Sequence, residues 1–498
     1  MKTPIVYIAV SLLLLASSAV AQAQFGFSEV RGKAQALAAK PFQPPTNRLP
    51  EALKKLSYIE HQAIQFNHSN ALWKNAQLPF EIEFFHPGYF YKEVVALHEI
   101  SEQGVRQIPF KSEFFNYGTN HLELPADPGF AGFRVVSPVN EFGEVAAFAG
   151  ASYFRMVGRG QNYGTSGRGL ALNTASQGGE EFPVFTEYWL QKPAKRDTTL
   201  TFYALLDSPS VAGAYQFKVH PGIDTVATVK AALFPRREVK EFGVAPLTSM
   251  FLHGKNGRAM FNDFRPEVHD ADGLLVHNGR GEWIWHSLDH GKMMRVNTFS
   301  DERPQGFGLM QRERDFEQYQ DLVARFQRRP SVWVKPLSDW GKGAVELVQL
   351  PSDKEFFDNI VAFWVPATPP KPGDAASFQY ELHWTMIDPA PATLGHVVAT
   401  RVGRVLVEPP KSPPNLRFVI DFGGSAVESL SGKEQLAAQI EYGEEAAFIA
   451  DSLLKNDING TWRLVIEIAE PRKAVDLRAY LKRREQRITE VWTFTWQP

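Results

Sequence analysis

From residue 80 onward the chain is a succession of short β-type runs closed by Gly, Pro, Asn or Asp: "FEIEFFHPGYFY", "FAGFRVV", "TLTFYALLDSP", "AYQFKV", "TVATVKAALF", "GEWIWHSL", "KMMRVNTFS", "GAVELVQLP" and "NIVAFWVP". Many alternate apolar with polar residues, the pattern of strands that bury one face and wet the other. Such strands, spaced by turn signals, predict an all-β chain built as antiparallel sandwiches. Helical periodicity is scarce. "SEVRGKAQALAAK" predicts a helix with Ser28 as its N-cap, and "RDFEQYQDLVARFQRR" predicts a second, ending at Pro330. Pro389 and Pro391 in "MIDPAPATLG" disfavour regular structure and mark a linker. The strand runs beyond it, "LRFVIDF", "NDINGTWRLVIEIA" and "ITEVWTFTWQ", span about 100 residues, the size of a small immunoglobulin-like sandwich.

The 498 residues include no cysteine, which excludes disulfides, thiolate nucleophiles and Cys-ligated zinc. The fold must therefore be held by an ordinary core, and 44% hydrophobic residues allow one. Lys2 followed by "PIVYIAVSLLLLASSAVA" and the small residues of "AVAQAQ" reads as a secretory leader over residues 1–23, cleaved after about Ala21 or Ala23. It lacks paired arginines, so the general export route is expected. No later run reaches the ~18 unbroken apolar residues of a membrane span. Lys and Arg total 53 against 55 Asp and Glu, which leaves no electrostatic footprint for nucleic acid and points to a neutral ligand. The 37 Phe, 14 Tyr and 11 Trp suit a large β core, and some rings suit stacking on the apolar faces of sugars; composition leaves both readings open.

Several signatures fail on inspection. "YGTSGRG" has Arg168 where a nucleophile elbow needs Gly. "LHEIS" lacks the second His of a zinc helix, "VGRGQNYG" has the wrong spacing for a dinucleotide loop, and "WGKGAVE" is no phosphate loop. The acidic stretch "RPEVHDADGL", residues 265–274, is not a calcium loop: aligned on Gly273, its first and last ligand positions fall on Val268 and Gly279. No metal and no cofactor are expected. Asp272 beside Gly273 suits a tight turn, but one turn does not need Asp270 as well. Asp358 in "KEFFDNIVAFWVP" follows two Phe, an apolar setting that would raise a carboxyl pKa and suit a general acid. A strand-end cap shared with Asn359 is the alternative. Glu180, Glu181, Asp207 and Asp315 read as turn or surface acids.

The motifs "DPGFAGFRV", "GASYFRMVG", "NYGTSGRGLAL", "EEFPVFTEYW", "YALLDSPSVAGAYQF", "APLTSMF", "RPEVHDADGL", "GEWIW", "PQGFGLMQRERDF", "RPSVWV", "WGKGAVELVQLP" and "DNIVAFWVP" resemble the periplasmic glucan biosynthesis proteins of the G and D branches across nearly the whole mature chain. The leader type favours the G branch. The resemblance implies a galactose-mutarotase-like β-sandwich over residues 24–387, a linker at 388–394 and an immunoglobulin-like sandwich over 395–498. It also implies a periplasmic role in making osmoregulated glucans with β-1,2-linked glucose backbones, with membrane glucan-synthesis machinery as a partner. Some relatives are inverting β-1,2-glucanases with two essential Asp, which fall here on Asp358 as general acid and Asp270 as general base. Tyr163, Arg168, Trp283 and Trp340, each beside Gly or Asp in loop-like segments or nearby, are the candidates for a glucan groove. Phe326 stands where relatives carry Tyr, and Thr165 and Gly167 where they tend to carry Leu and Ala. Those departures imply slower cutting, so a non-catalytic glucan-binding scaffold and a transglycosylase or branching factor stand as alternatives.

Overall fold

The computed structural model describes residues 25–44, 49–122, 127–138, 143–255, 262–405 and 414–498; the leader expected at 1–23 lies outside them. The chain is all-β with few, short helices. Two sheets carry most of it, one of ten strands and one of fifteen. They face each other across a single core in which rings interdigitate: Phe133 and Phe148 on the ten-stranded sheet meet Phe202 edge-on at 5.5 and 5.0 Å. Fully burying each such ring stabilises the fold by about 1.5–3 kcal/mol.

The alternation read in the sequence holds where only one face is covered. Thr225–Pro235 begins with strict alternation of buried and partly buried residues, then turns continuously buried. The change marks the second face being covered. The cover is the helix Phe27–Ala38, whose Val30 and Ala34 pack with Trp189, Tyr203, Leu205, Ala214, Ala232 and Phe234. Its N-cap is Gly26, not Ser28: the Gly26 amide donates to Glu29 Oε2 at 2.7 Å, and Ser28 sits inside the first turn.

The second predicted helix does not form. "RDFEQYQDLVARFQRR" folds into a loop with two 3₁₀ turns, Phe316–Gln318 and Phe326–Arg328. Gln320 and Arg325 take positive φ, and the Asp321 carboxylate accepts from the Val323 and Ala324 amides, offering the backbone a partner other than a helical carbonyl. Tyr319 and Phe326 are buried, which is the apolar spacing that mimicked a helix, while Leu322 and Val323 are 75% and 91% exposed.

Pro389 and Pro391 lie outside helix and strand. Beyond them, however, the fifteen-stranded sheet continues without a break. Val491–Trp496 pairs in parallel with Trp283–Ser287, placing Ile284 opposite Val491, and carries on through Val475–Arg483 to Leu436–Tyr442. Four further strands, His396–Val405, Asn415–Gly423, Trp462–Ala469 and Phe448–Lys455, form a separate sheet. Phe418, Ile420 and Trp492 share one core with Leu275, Trp285, Met310 and Trp333. Among the described residues no helix is long and apolar enough to cross a membrane.

Candidate active site

Four neighbouring strands of the ten-stranded sheet set the site: Tyr153–Met156, Ser166–Arg168, Phe242–Ser249 and Ile360–Pro366. In Tyr153–Met156 the period of two sends Phe154 and Met156 into the core and leaves Tyr153 and Arg155 on the other face. Tyr153 pairs with Arg168 on the next strand, and the guanidinium lies 5.0 Å from the Tyr153 ring and 5.0 Å from that of Phe182. Glu180 Oε1 accepts from Arg168 Nη2 at 2.6 Å. Arg168 is thus buried against the Tyr153 ring. Glu180, expected as a surface acid, is its counterion.

Asp358 stands at the entry to Ile360–Pro366. The turn there is made by Asn359, whose side chain accepts from the Phe251 amide at 2.9 Å and donates to the Phe251 and Leu350 carbonyls at 2.9 and 3.0 Å. The capping task falls to Asn359, which leaves the Asp358 carboxyl to face Arg155, with Nη2 to Oδ2 at 3.6 Å. Arg155 in turn donates through Nε to Ser166 Oγ at 2.6 Å. Burial pushes the Asp358 carboxyl above its usual range; Arg155 pulls it back, Asp270 pushes it further up, and Arg329 and Arg168 oppose that. The apolar setting is not the one its sequence neighbours suggest. Phe356 and Phe357, the rings that precede it in sequence, are 72% and 54% exposed.

Asp270 hangs from the same segment. Its amide donates to the Met250 carbonyl at 2.8 Å, and the preceding His269 pairs with Phe251, the residue that Asn359 grips. Residues 249–251 therefore hold both acids, and the 88 positions between them in the chain collapse to one neighbourhood. Asp270 is the more buried of the two. Its side chain is 7% exposed against 28% for Asp358, and it forms an ion pair with Arg329 Nη1. Arg329 rests 4.3 Å from the Phe326 ring, so the ring at position 326 supports the guanidinium by its face and brings no hydroxyl. Asp272 does knit a turn: its carboxylate accepts from the Arg312 and Glu313 amides at 3.1 Å.

Tyr163 lies on a wall of an aromatic cleft of about 520 Å³ that also takes in Phe66, Phe84, His86, Tyr91, Tyr153 and Arg155. Its hydroxyl donates to Glu144 Oε1 at 2.9 Å, and burial, then Glu144, push its pKa well up. The neighbouring Gly164 is required by contact: a Cβ there would stand 2.9 Å from Arg329 Cβ. Thr165 Oγ1 shares a hydrogen bond with Ser249 Oγ at 2.8 Å, and a Cβ on Gly167 would meet the Phe154 ring at 2.6 Å.

The structure thus gathers Asp358, Asp270, Tyr163 and Arg168 with Asn359, and adds Arg155, Tyr153 and Arg329, which sequence reasoning missed. Alternation in "YFRM" was a signal for Tyr153 and Arg155; for Arg329 there was none. Trp283 and Trp340 pack elsewhere. Trp283 stacks on His277 at 4.1 Å and lies four residues along its strand from the Gly273 pair, roughly 13 Å at ~3.3 Å per residue. Trp340 is buried against Trp364, Phe378 and Tyr380. Among the described residues no group of three or more His, Asp or Glu side chains is placed to hold a metal ion.

Residues 25–496 match the family described as "Periplasmic glucan biosynthesis protein, MdoG". The chain is 42% identical to "Glucans biosynthesis protein G" of Rhodopseudomonas palustris over 479 residues, 95% of this chain and 94% of that one. It is also 42% identical to the protein of the same name from Ralstonia nicotianae over 510 residues, 99% of each. With the shared sequence running through both acids, the cleft and the sheets that carry them, this chain belongs to the periplasmic glucan biosynthesis protein family, MdoG.

Proposed function

We propose that the protein binds a linear β-1,2-glucan in the aromatic cleft and hydrolyses it by inversion while the glucan matures in the periplasm. The observation that carries this reading is Asp358: a part-open carboxyl whose pKa is pushed up by burial, facing Arg155 beside the cleft, with a second carboxylate close enough to act on it electrostatically. Protonated, Asp358 donates to the glycosidic oxygen as the bond breaks. Asp270 takes the proton from the attacking water on the other face of the sugar, directly or through a short chain of waters. Arg155 offsets the charge left on Asp358 afterwards. Tyr153 and Tyr163 supply ring faces and hydroxyls to the sugar. On this reading residues 1–23 are removed on export, 24–387 handle the glucan as a mutarotase-like sandwich, and 395–498 add an immunoglobulin-like sandwich joined through 388–394. Membrane glucan-synthesis enzymes are its neighbours in the pathway, and no cofactor or nucleic acid takes part.

One observation favours a second reading, a glucan-holding scaffold. Asp270 is buried and paired with Arg329, so a proton reaches it only through a relay or after that pair opens. Purified protein incubated with linear β-1,2-glucan decides between them. New reducing ends that vanish in Asp358→Asn support hydrolysis; tight binding with no shortening supports the scaffold, and products longer than the substrate support transfer.

A further inference from the structure

Arg265 lies outside the cleft and touches neither acid, yet its guanidinium joins three separate loops. Nε donates to Asp263 Oδ1 at 3.0 Å and Nη2 to Asp263 Oδ2 at 2.7 Å. Nη1 donates to Asp321 Oδ2 at 3.0 Å, and Nη2 also to Glu355 Oε2 at 2.5 Å. Each loop leads straight to the site. Arg265 stands five residues before Asp270, and Glu355 three before Asp358. Asp321 anchors the loop that ends in Arg329: it accepts from the Ala324 amide at 2.7 Å, and the Ala324 carbonyl accepts from Arg329 Nε at 3.2 Å. Residues 249–251 hold the backbone at Asp270 and Asn359, and Arg265 adds a side-chain tie from both of those segments to the loop of Asp321 and Arg329.

We infer that Arg265 is a positioning residue that sets the relative placement of Asp358, Asp270 and Arg329 by clamping the three loops that carry them. The role rests on the hydrolytic reading above for its catalytic meaning, but the clamp itself is a structural statement. A planar fork with five donors can serve three carboxylates at once; a lysine ammonium in the same place reaches one or two and lacks the planar match. Displacements of about 1 Å among reacting groups cost on the order of 10²-fold in rate.

The test uses the full mature chain with Arg265→Lys and Arg265→Ala. Hydrogen–deuterium exchange is expected to rise together in 321–329 and 351–358, with the rest of the ten-stranded sheet unchanged; a rise confined to the immediate neighbours of residue 265 overturns the clamp. On linear β-1,2-glucan, both variants are expected to lose on the order of 10²-fold in kcat with KM little changed. The alkaline limb of the kcat profile is expected to move to lower pH, because water admitted beside Asp358 relieves its burial while Arg155, Arg329 and Arg168 still draw its pKa down against Asp270. A purely structural loss of folded protein would lower the amplitude and leave that limb in place. If wild type makes no reducing ends, the hydrolytic reading has failed while the exchange result still decides the clamp. If wild type is active and the variants match it in kcat, the positioning role is overturned.

Discussion

The two carboxylates differ in how the fold treats them, and the difference is the reverse of the one their sequence neighbourhoods suggest. Asp358 follows two phenylalanines yet is the more exposed, because those rings point outward and Asn359 takes over the turn. Asp270 sits in a polar, turn-like stretch yet is nearly closed off under Arg329. One acid is poised beside the cleft with a raised pKa; the other is held by a guanidinium that must yield or relay before a proton arrives. On the hydrolytic proposal this arrangement makes the base the limiting partner, which agrees with an aromatic ring at position 326 that offers no hydroxyl for a relay.

The largest expected effect tests whether both halves of that contrast matter. Asp358→Asn and Asp270→Asn should each lower the rate of reducing-end formation by about 10²–10⁴-fold while glucan binding persists. If Asp270→Asn cuts at the wild-type rate, Asp270 is not the base. Next in size is Gly164→Ala, which pushes on Arg329 from the Tyr163 side. About a tenfold loss in kcat is expected in steady-state assays, and an unchanged kcat would show that the position of Arg329 is immaterial.

Stability sharpens the contrast further. Arg329→Met leaves the Asp270 carboxylate closed in without its ion partner, and urea unfolding should report a loss of about 1–3 kcal/mol. Asp358→Asn should act the other way, by a smaller amount. A carboxyl whose folded pKa lies above its unfolded value favours the fold below the unfolded pKa and gives up that contribution as pH rises through the folded one. Replacing it with a neutral amide should therefore raise the melting temperature at neutral pH, and the gain should fade as pH falls below the ordinary Asp range. A melting temperature lowered at neutral pH would mean that Asp358 supports the fold through its Arg155 pair rather than being strained by burial.

The strands were legible because alternation and turn residues are local, and the structure keeps them. That Asp358 and Asp270 stand apart from ordinary turn acids was visible in the sequence, but their environments were not. The environment of each is set by partners far along the chain: Arg155 for Asp358, Arg329 for Asp270. The stretch 314–329 misled because buried Tyr319 and Phe326 mimic a helical stripe, while Asp321 and the positive φ of Gln320 and Arg325 make a loop of it. Trp283 and Trp340 show the limit of picking groove rings by adjacent Gly or Asp. Each is a loop-flanking tryptophan in sequence, yet one stacks on a histidine along its own hairpin and the other closes a core of rings.

The most direct measurement is the anomeric configuration of the first product, followed by proton NMR in the earliest turnovers of linear β-1,2-glucan. With Asp358 as acid and Asp270 activating a water on the opposite face, the new reducing end should appear first as the α-anomer and then relax to the equilibrium mixture. A β-anomer appearing first, or tightly bound glucan that is never cut, would contradict it.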